Sequence, residues 1–171
     1  MSLVLPTGVV SNVKERFRST LADCQSIVDW SQRDVPKIYL DIVPGLPEGR
    51  DEFTRDELEL LRPFVLIYTG PISYSLVAEP GSYSPSGSWS ACFEQNTPLG
   101  DYTGEELDRI FDNFIGEVIR EIREHAINSQ NGWSYPTKIT TEGPMRSSCE
   151  DAVAIGDCQR YWLHFEWGIS Q

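Results

Sequence analysis

Histidine, cysteine and basic residues are all scarce in this chain. There are 2 histidines and 4 cysteines in 171 residues, and 14 Lys and Arg stand against 26 Asp and Glu, a formal net charge of −12. Four scattered cysteines do not make a disulfide scaffold. Cys24 falls on a helical apolar stripe and Cys92 in a strand-like run, and both read as small buried hydrophobes. Cys149 and Cys158 either face each other across a hairpin or remain reduced thiols. The second reading is favoured, because disulfides are rare inside cells. His125 and His164 stand alone, with no C-x-x-C or H-x-x-H spacing, so no zinc site is expected. The shortage of Lys and Arg argues against specific nucleic-acid binding, which needs clustered positive charge.

Long apolar runs are missing too. The longest uncharged stretch, Pro63 to Ala78, is interrupted by Gly70 and Pro71. A membrane-spanning helix needs about 20 apolar residues. The start of the chain has neither a basic segment nor an apolar one of signal-peptide type. A cytoplasmic product is therefore expected. The length suits a single domain, 1–171, with residues 1–10 as a flexible arm broken by Pro6 and Gly8. Hydrophobic residues make up 40% and aromatics 11%, enough for a core.

Periodicity then predicts the elements. Val13, Phe17, Leu21, Cys24 and Val28 recur at steps of three and four, a helix over 12–30 opened by Asn12 and Glu15. Lys37 to Val43 is β-branched and aromatic, a strand. Pro44, Gly45, Pro47 and Gly49 force a loop. Thr54 with Glu57 is a capping box for a short helical turn, which Pro63 stops. Phe64 to Tyr68, Ser73 to Ala78 and Ser88 to Glu94 read as strands, and Glu79 is the only charge between Pro63 and Phe93. Thr103 with Glu106 opens the clearest helix, to Ile127, with an apolar stripe that includes Leu107, Ile110, Phe111, Phe114, Val118 and Ile122. Its other face carries the acids and is expected in solvent. Lys138 to Thr141 is a short strand, and Arg146 to Gln159 a mobile or functional loop. In the closing strand, Tyr161, Leu163, Phe165 and Trp167 share one face and Trp162, His164 and Glu166 the other. This order points to an α+β fold: a mainly antiparallel sheet of about 4–6 strands with two long helices on one face.

Familiar catalytic motifs are not found. There is no G-x-S-x-G, P-loop, dinucleotide fingerprint or H-E-x-x-H. Cys158 near His164 has acidic neighbours, Glu150, Asp151 and Asp157, which oppose thiolate formation. Asp41 and Glu94, a conceivable Mg²⁺ pair, lack a suitably spaced Lys. His164 reads as a partly exposed pairing residue. The uncharged hairpin and the last strand instead suggest an assembly surface made by Tyr74, Leu76, Tyr83, Trp89, Trp162 and His164.

The layout resembles the small α+β proteins of the neck and tail of tailed bacteriophages and prophages, the tail terminators and tail-completion proteins. The likeness rests on four features. These are the acidic turn Glu57-Leu-Glu-Leu-Leu61 before the strand Phe64-Val-Leu-Ile-Tyr, the Tyr/Ser hairpin, the long amphipathic helix, and the aromatic run from Tyr161 to Gly168. The resemblance implies a non-enzymatic virion assembly protein, without cofactor, in the cytoplasm or the virion. It implies a self-assembled hexameric ring that contacts tail-tube or head-tail connector proteins, with an acidic lumen over which DNA slides. The alternatives are a small intracellular binding module, or an enzyme with an unrecognised site.

Overall fold

The computed structural model describes residues 9–76, 83–128, 135–147 and 158–168. Four helices and five strands form an α+β unit: α1 (Val9–Ala22), α2 (Gln25–Ser31), β1 (Ile38–Leu40), α3 (Arg55–Leu61), β2 (Phe64–Leu76), β3 (Tyr83–Asn96), α4 (Gly104–Asn128), β4 (Tyr135–Ser147) and β5 (Cys158–Gly168). The strands make one sheet in the order β1-β2-β3-β5-β4. Three neighbouring pairs are antiparallel, but β1 runs parallel to β2, so the sheet is mixed. None of the described helices is long and apolar enough to cross a membrane.

Only one of the described helices is long, α4. The stripe expected to be a single helix over 12–30 is two, α1 and α2. At the break, Cys24 takes an extended conformation and becomes the N-cap of α2. Its side chain offers no cap. The carboxylate of Glu121, on α4, instead accepts the backbone N–H of Ser26 at 3.1 Å. A negative group at a helix start satisfies orphan donors and complements the dipole. The cap arrives from 95 residues away, so local spacing could not reveal it. Asn12 is likewise no cap, because α1 is already helical at Val9. The proposed arm loses Val9 and Val10 to that helix, and 1–8 lie outside the described residues.

The other two capping boxes are present. Thr54 and Glu57 exchange side-chain and backbone bonds at 3.0 and 3.3 Å, and Thr103 and Glu106 do so at 3.3 and 3.2 Å. The open carbonyls at the end of α3 are met by Arg33, whose guanidinium donates to Pro63 O at 2.7 Å and to Leu61 O and Arg62 O at 3.4 Å.

Strand β1 is shorter than its β-branched run. Asp41 turns at φ 63, and its carboxylate accepts the N–H and hydroxyl of Thr69 at 3.2 and 3.0 Å. That side chain stands in for the next ladder rung, and the chain leaves the sheet.

The two strands expected on either side of Gly70-Pro71 are one, β2, with a bulge between Thr69 and Ile72. The bulge requires glycine on both strands. A Cβ on Gly70 would lie 2.5 Å from Ser88 O, and one on Gly87 would lie 2.9 Å from Pro71 O and 3.0 Å from the Trp167 ring.

The core lies on the helix side. Val65 and Ile67 of β2, Trp89, Ala91 and Phe93 of β3, and Leu163, Phe165 and Trp167 of β5 are buried there. They meet Phe17 and Leu21 of α1, Ile27 of α2, and Phe111, Ile115, Val118 and Ile122 of α4. The aromatic rings lock in tilted and edge-on pairs: Phe17 on Phe165 at 4.5 Å, Phe111 on Tyr161 at 5.5 Å, Trp89 on Trp167 at 5.8 Å. Phe114 is only partly buried, with its ring on Trp30 at 4.9 Å, and Ile110 is exposed. The buried stripe of α4 is thus narrower than its apolar residues suggest. The acidic face of α4 is in solvent, threaded by exposed ion pairs such as Arg109–Glu105 and Arg120–Glu124.

Candidate functional site

The main core draws on one face of the sheet, with α1, α2 and α4, and the chemistry of the described residues collects on the other. Alternate residues of the strands project there in rows, because side chains of a strand alternate sides. One row is Phe64, Glu94 and Arg160, the next Leu66, Cys92, Trp162 and Glu142, the next Tyr68, Ser90, His164 and Thr140. Phe64, Leu66 and Cys92 are buried as a floor. Tyr68 and Trp162 stand beside it with rings 5.5 Å apart. With Val43 and Met145 at the rim, these residues bound a concavity of about 510 Å³.

At one end of the concavity Glu94 is 5% exposed and Arg62 8%. Arg62 Nε donates to Glu94 Oε2 at 3.1 Å, and its Nη1 to Asn96 Oδ1 at 3.3 Å. Arg160 Nε donates to the other oxygen of Glu94. A buried carboxylate survives only when it is paired and hydrogen-bonded, and here both oxygens are used. Burial works against the charge of Arg160, but the hydrogen bond and charge of Glu94 outweigh it and raise the guanidinium pKa. Burial, then Glu94, pushes the Cys92 thiol up to about 12, so it is a neutral hydrophobe and not a nucleophile.

At the other end, His164 Nδ1 lies 2.7 Å from Ser90 Oγ and its Nε2 lies 2.8 Å from Glu142 Oε2. A carboxylate only accepts, so in neutral His164 Nε2 carries the proton and the Ser90 hydroxyl donates to Nδ1. The order Ser–His–Glu is that of an activated nucleophile. The setting differs from an acyl-transfer site. Ser90 lies mid-strand between β2 and β5, and its backbone is committed to the ladders. Acyl transfer needs N–H donors aimed at a developing oxyanion, and a strand centre points its amides along the sheet plane. The three residues act as a cross-strand polar tie, stacked on Trp162, whose ring is parallel to that of His164 at 6.2 Å.

The residues expected to form one assembly surface are not together. Trp162 and His164 lie on the open face. Tyr74 is exposed on the outer part of β2. Leu76 and Tyr83 pair at the described end of the hairpin. Trp89 is 1% exposed and packs in the core against Phe17 and Trp167, so it offers no surface. Its alternation with Ala91 and Phe93 carried that signal. The last strand is interior to the sheet: β5 runs between β3 and β4. Asp41 and Glu94 do not act together, since Asp41 binds Thr69 and Glu94 holds two arginines. Cys158 is buried, and Cys149 with most of the 146–159 segment lies outside the described residues.

Sequence reasoning missed Ser90, Glu142, Arg62 and Arg160. The even-numbered residues Ser88, Ser90, Cys92 and Glu94 gave one hint, as the small or polar partners of an apolar face. The pairing register that joins them to β4 and β5 is not written in local spacing. No protein-family model matches the chain, and no curated protein matches it.

Proposed function

We propose that the chain is a non-enzymatic assembly subunit of a phage neck or tail, which closes into a ring that terminates the tail tube or joins it to the head. One observation carries the reading: the β2–β3 hairpin runs past its described neighbours in the sheet, and beyond Ile67 no described strand pairs with its outer edge. β1 pairs only with Val65 to Ile67, while β2 continues to Leu76. On the inner side, the described part of β5 reaches only Ser86 of β3, while β3 begins at Tyr83. Beyond the bulge the described arm has no charged residue. The opposite edge is β4. Its bulges at Pro136/Lys138 and Glu142/Met145 leave Lys138 to Glu142 as a regular window. Prolines and bulges guard the rest of that edge. Two unlike edges on opposite sides of one sheet fit a head-to-tail contact, which makes a ring when the rotation closes. The likeness to tail-terminator and tail-completion proteins supports the same reading.

Sedimentation velocity across a salt series tests it. Repulsion between subunits of charge −12 opposes closure, and salt screens it with a Debye length of about 8 Å at physiological strength. Larger species should grow as salt rises from low to moderate. Tyr74→Lys and Leu76→Lys should reduce them without changing the thermal melt. A chain that stays monomeric at every salt and binds no tail-tube end is instead a small binding module, the reading that the concavity on the open face favours.

A further inference from the structure

We propose that the concavity on the open face of the sheet binds a small organic monoanion, with a carboxylate on Arg160 and a flat apolar body against Trp162 and Tyr68. The charge count at its end selects the ligand's sign. Arg62 and Arg160 contribute two positive charges and Glu94 one negative, so the cluster is left with a net positive charge inside a chain of −12. Arg62 is sealed in, with its side chain 6% exposed, whereas that of Arg160 is 39% exposed. Arg160 meets Glu94 through Nε, one of five guanidinium N–H groups. The terminal amino groups carry the other four, and a planar fork matches the two oxygens of a carboxylate.

Glu94 sets the ligand's charge. A second anion within reach of a buried carboxylate is tolerated only as far as the two arginines outweigh both. One further negative charge neutralises the cluster, and a phosphate dianion would overload it. The remaining walls select shape. Trp162 has two other rings beside it, Tyr68 at 5.5 Å and His164 at 6.2 Å, and this aromatic cluster borders the apolar floor of Phe64, Leu66 and Cys92. About 510 Å³ is ample for a two-ring acid, and ligand pockets typically span roughly 300–1,000 Å³. The site stands apart from the hairpin edge and does not depend on ring formation.

The test compares 2-naphthoate with its neutral partner 2-naphthamide, titrated into the full chain and followed by the indole N–H and backbone signals of Trp162 and Arg160 in NMR spectra. The acid should bind about tenfold more tightly than the amide. Arg160→Gln should remove that preference. Arg160→Lys keeps the charge on Glu94 but loses the fork, so it should retain the fold and weaken the acid severalfold. It decides the matter if Arg160→Gln does not fold. The proposal is overturned if naphthoate does not bind at millimolar concentration. It is overturned equally if acid and amide bind alike, if the signals that move lie away from Trp162 and Arg160, or if a folded Arg160 variant keeps the full preference for the acid.

Discussion

On the helix side of β3, Trp89, Ala91 and Phe93 are buried in a continuous apolar core. On the other side of the same strand, Ser90, Cys92 and Glu94 meet a histidine, a tryptophan and two arginines. The two faces are stabilised by different physics. Apolar burial is non-directional and grows with area, so the helix side tolerates changes of ring angle but not of volume or charge. The open face depends on pairing. Its terms are small where water reaches them and large where it does not. Substitutions on the two faces should therefore fail in different ways.

The largest effect belongs to the helix side. Trp89→Lys places an ammonium where the wild-type ring is 1% exposed and packs on the rings of Phe17 and Trp167. We expect no cooperative unfolding transition by circular dichroism. Phe111→Ala, in the same core, should cost about 3–5 kcal/mol. Phe114→Ala should cost less, because that ring is only partly buried beside Trp30. A Phe114 variant as damaged as the Phe111 variant would show that the α2–α4 contact, and not the sheet, dominates the packing.

Next comes the buried ion cluster. Glu94→Gln leaves Arg62 charged and sealed from water, and breaking a buried pair in this way costs about 3–5 kcal/mol. Arg62→Met should cost less, because Glu94 keeps Arg160. The double variant should be more stable than Glu94→Gln alone, since no orphan charge remains. Urea unfolding of all four proteins gives the coupling directly. Additive losses would mean that the cluster is wetter than its burial indicates and that the open face behaves as ordinary surface.

These contrasts also mark what the sequence revealed. Strict alternation in Tyr161 to Trp167 placed four aromatic and aliphatic residues on one face, and all four are buried. Period-2 patterning reports which side a residue takes, because the pleat fixes it. The helix α4 and the boxes Thr54/Glu57 and Thr103/Glu106 were legible for the same reason: their signals lie within one turn. The break at Cys24, the parallel pairing of β1 and the interior place of β5 were not legible. Each is fixed by a distant residue: Glu121 capping α2, β2 accepting β1, β4 covering β5. The open-face cluster belongs to this second class, since Arg62, Glu94 and Arg160 come from three separate segments.

Alkaline titration probes both faces at once. Burial first, and then the hydrogen bond and charge of Asp112, push the Tyr161 hydroxyl from an ordinary 10 up to about 12. The fold prefers the protonated phenol, which donates to Asp112 Oδ1 at 2.6 Å. Its contribution to stability is therefore complete below pH 10 and is lost as pH rises towards 12. Cys24 on the helix side and Cys92 on the open side, both raised from 9 to about 12 chiefly by burial, lose theirs from about pH 9 upward. Melting temperature should fall across this range, and Tyr161→Phe should flatten the upper part of the fall. An unchanged slope in that variant would place the alkaline loss on the thiols alone.

The smallest effect is expected at His164, and it tests whether the open face is a set of separate contacts or one network. Its side chain is 39% exposed and that of Glu142 60%, so water can replace the bond between them. Contacts of this kind are worth about 0–1 kcal/mol. Ser90 loses one partner and sits where solvent can supply another. His164→Ala should therefore lower the unfolding free energy in urea titrations by less than about 1 kcal/mol, with an unchanged slope. The His164 ring also lies parallel to Trp162, which in turn stacks on Tyr68. If the row Ser90–His164–Glu142 and the ring stack order each other, removing the imidazole loosens Trp162 as well, and the loss exceeds the pairwise bonds. A cost above about 2 kcal/mol would show that cooperativity. The open face would then share with the helix side the property that separates them here, namely that one side chain cannot be removed without disturbing its neighbours.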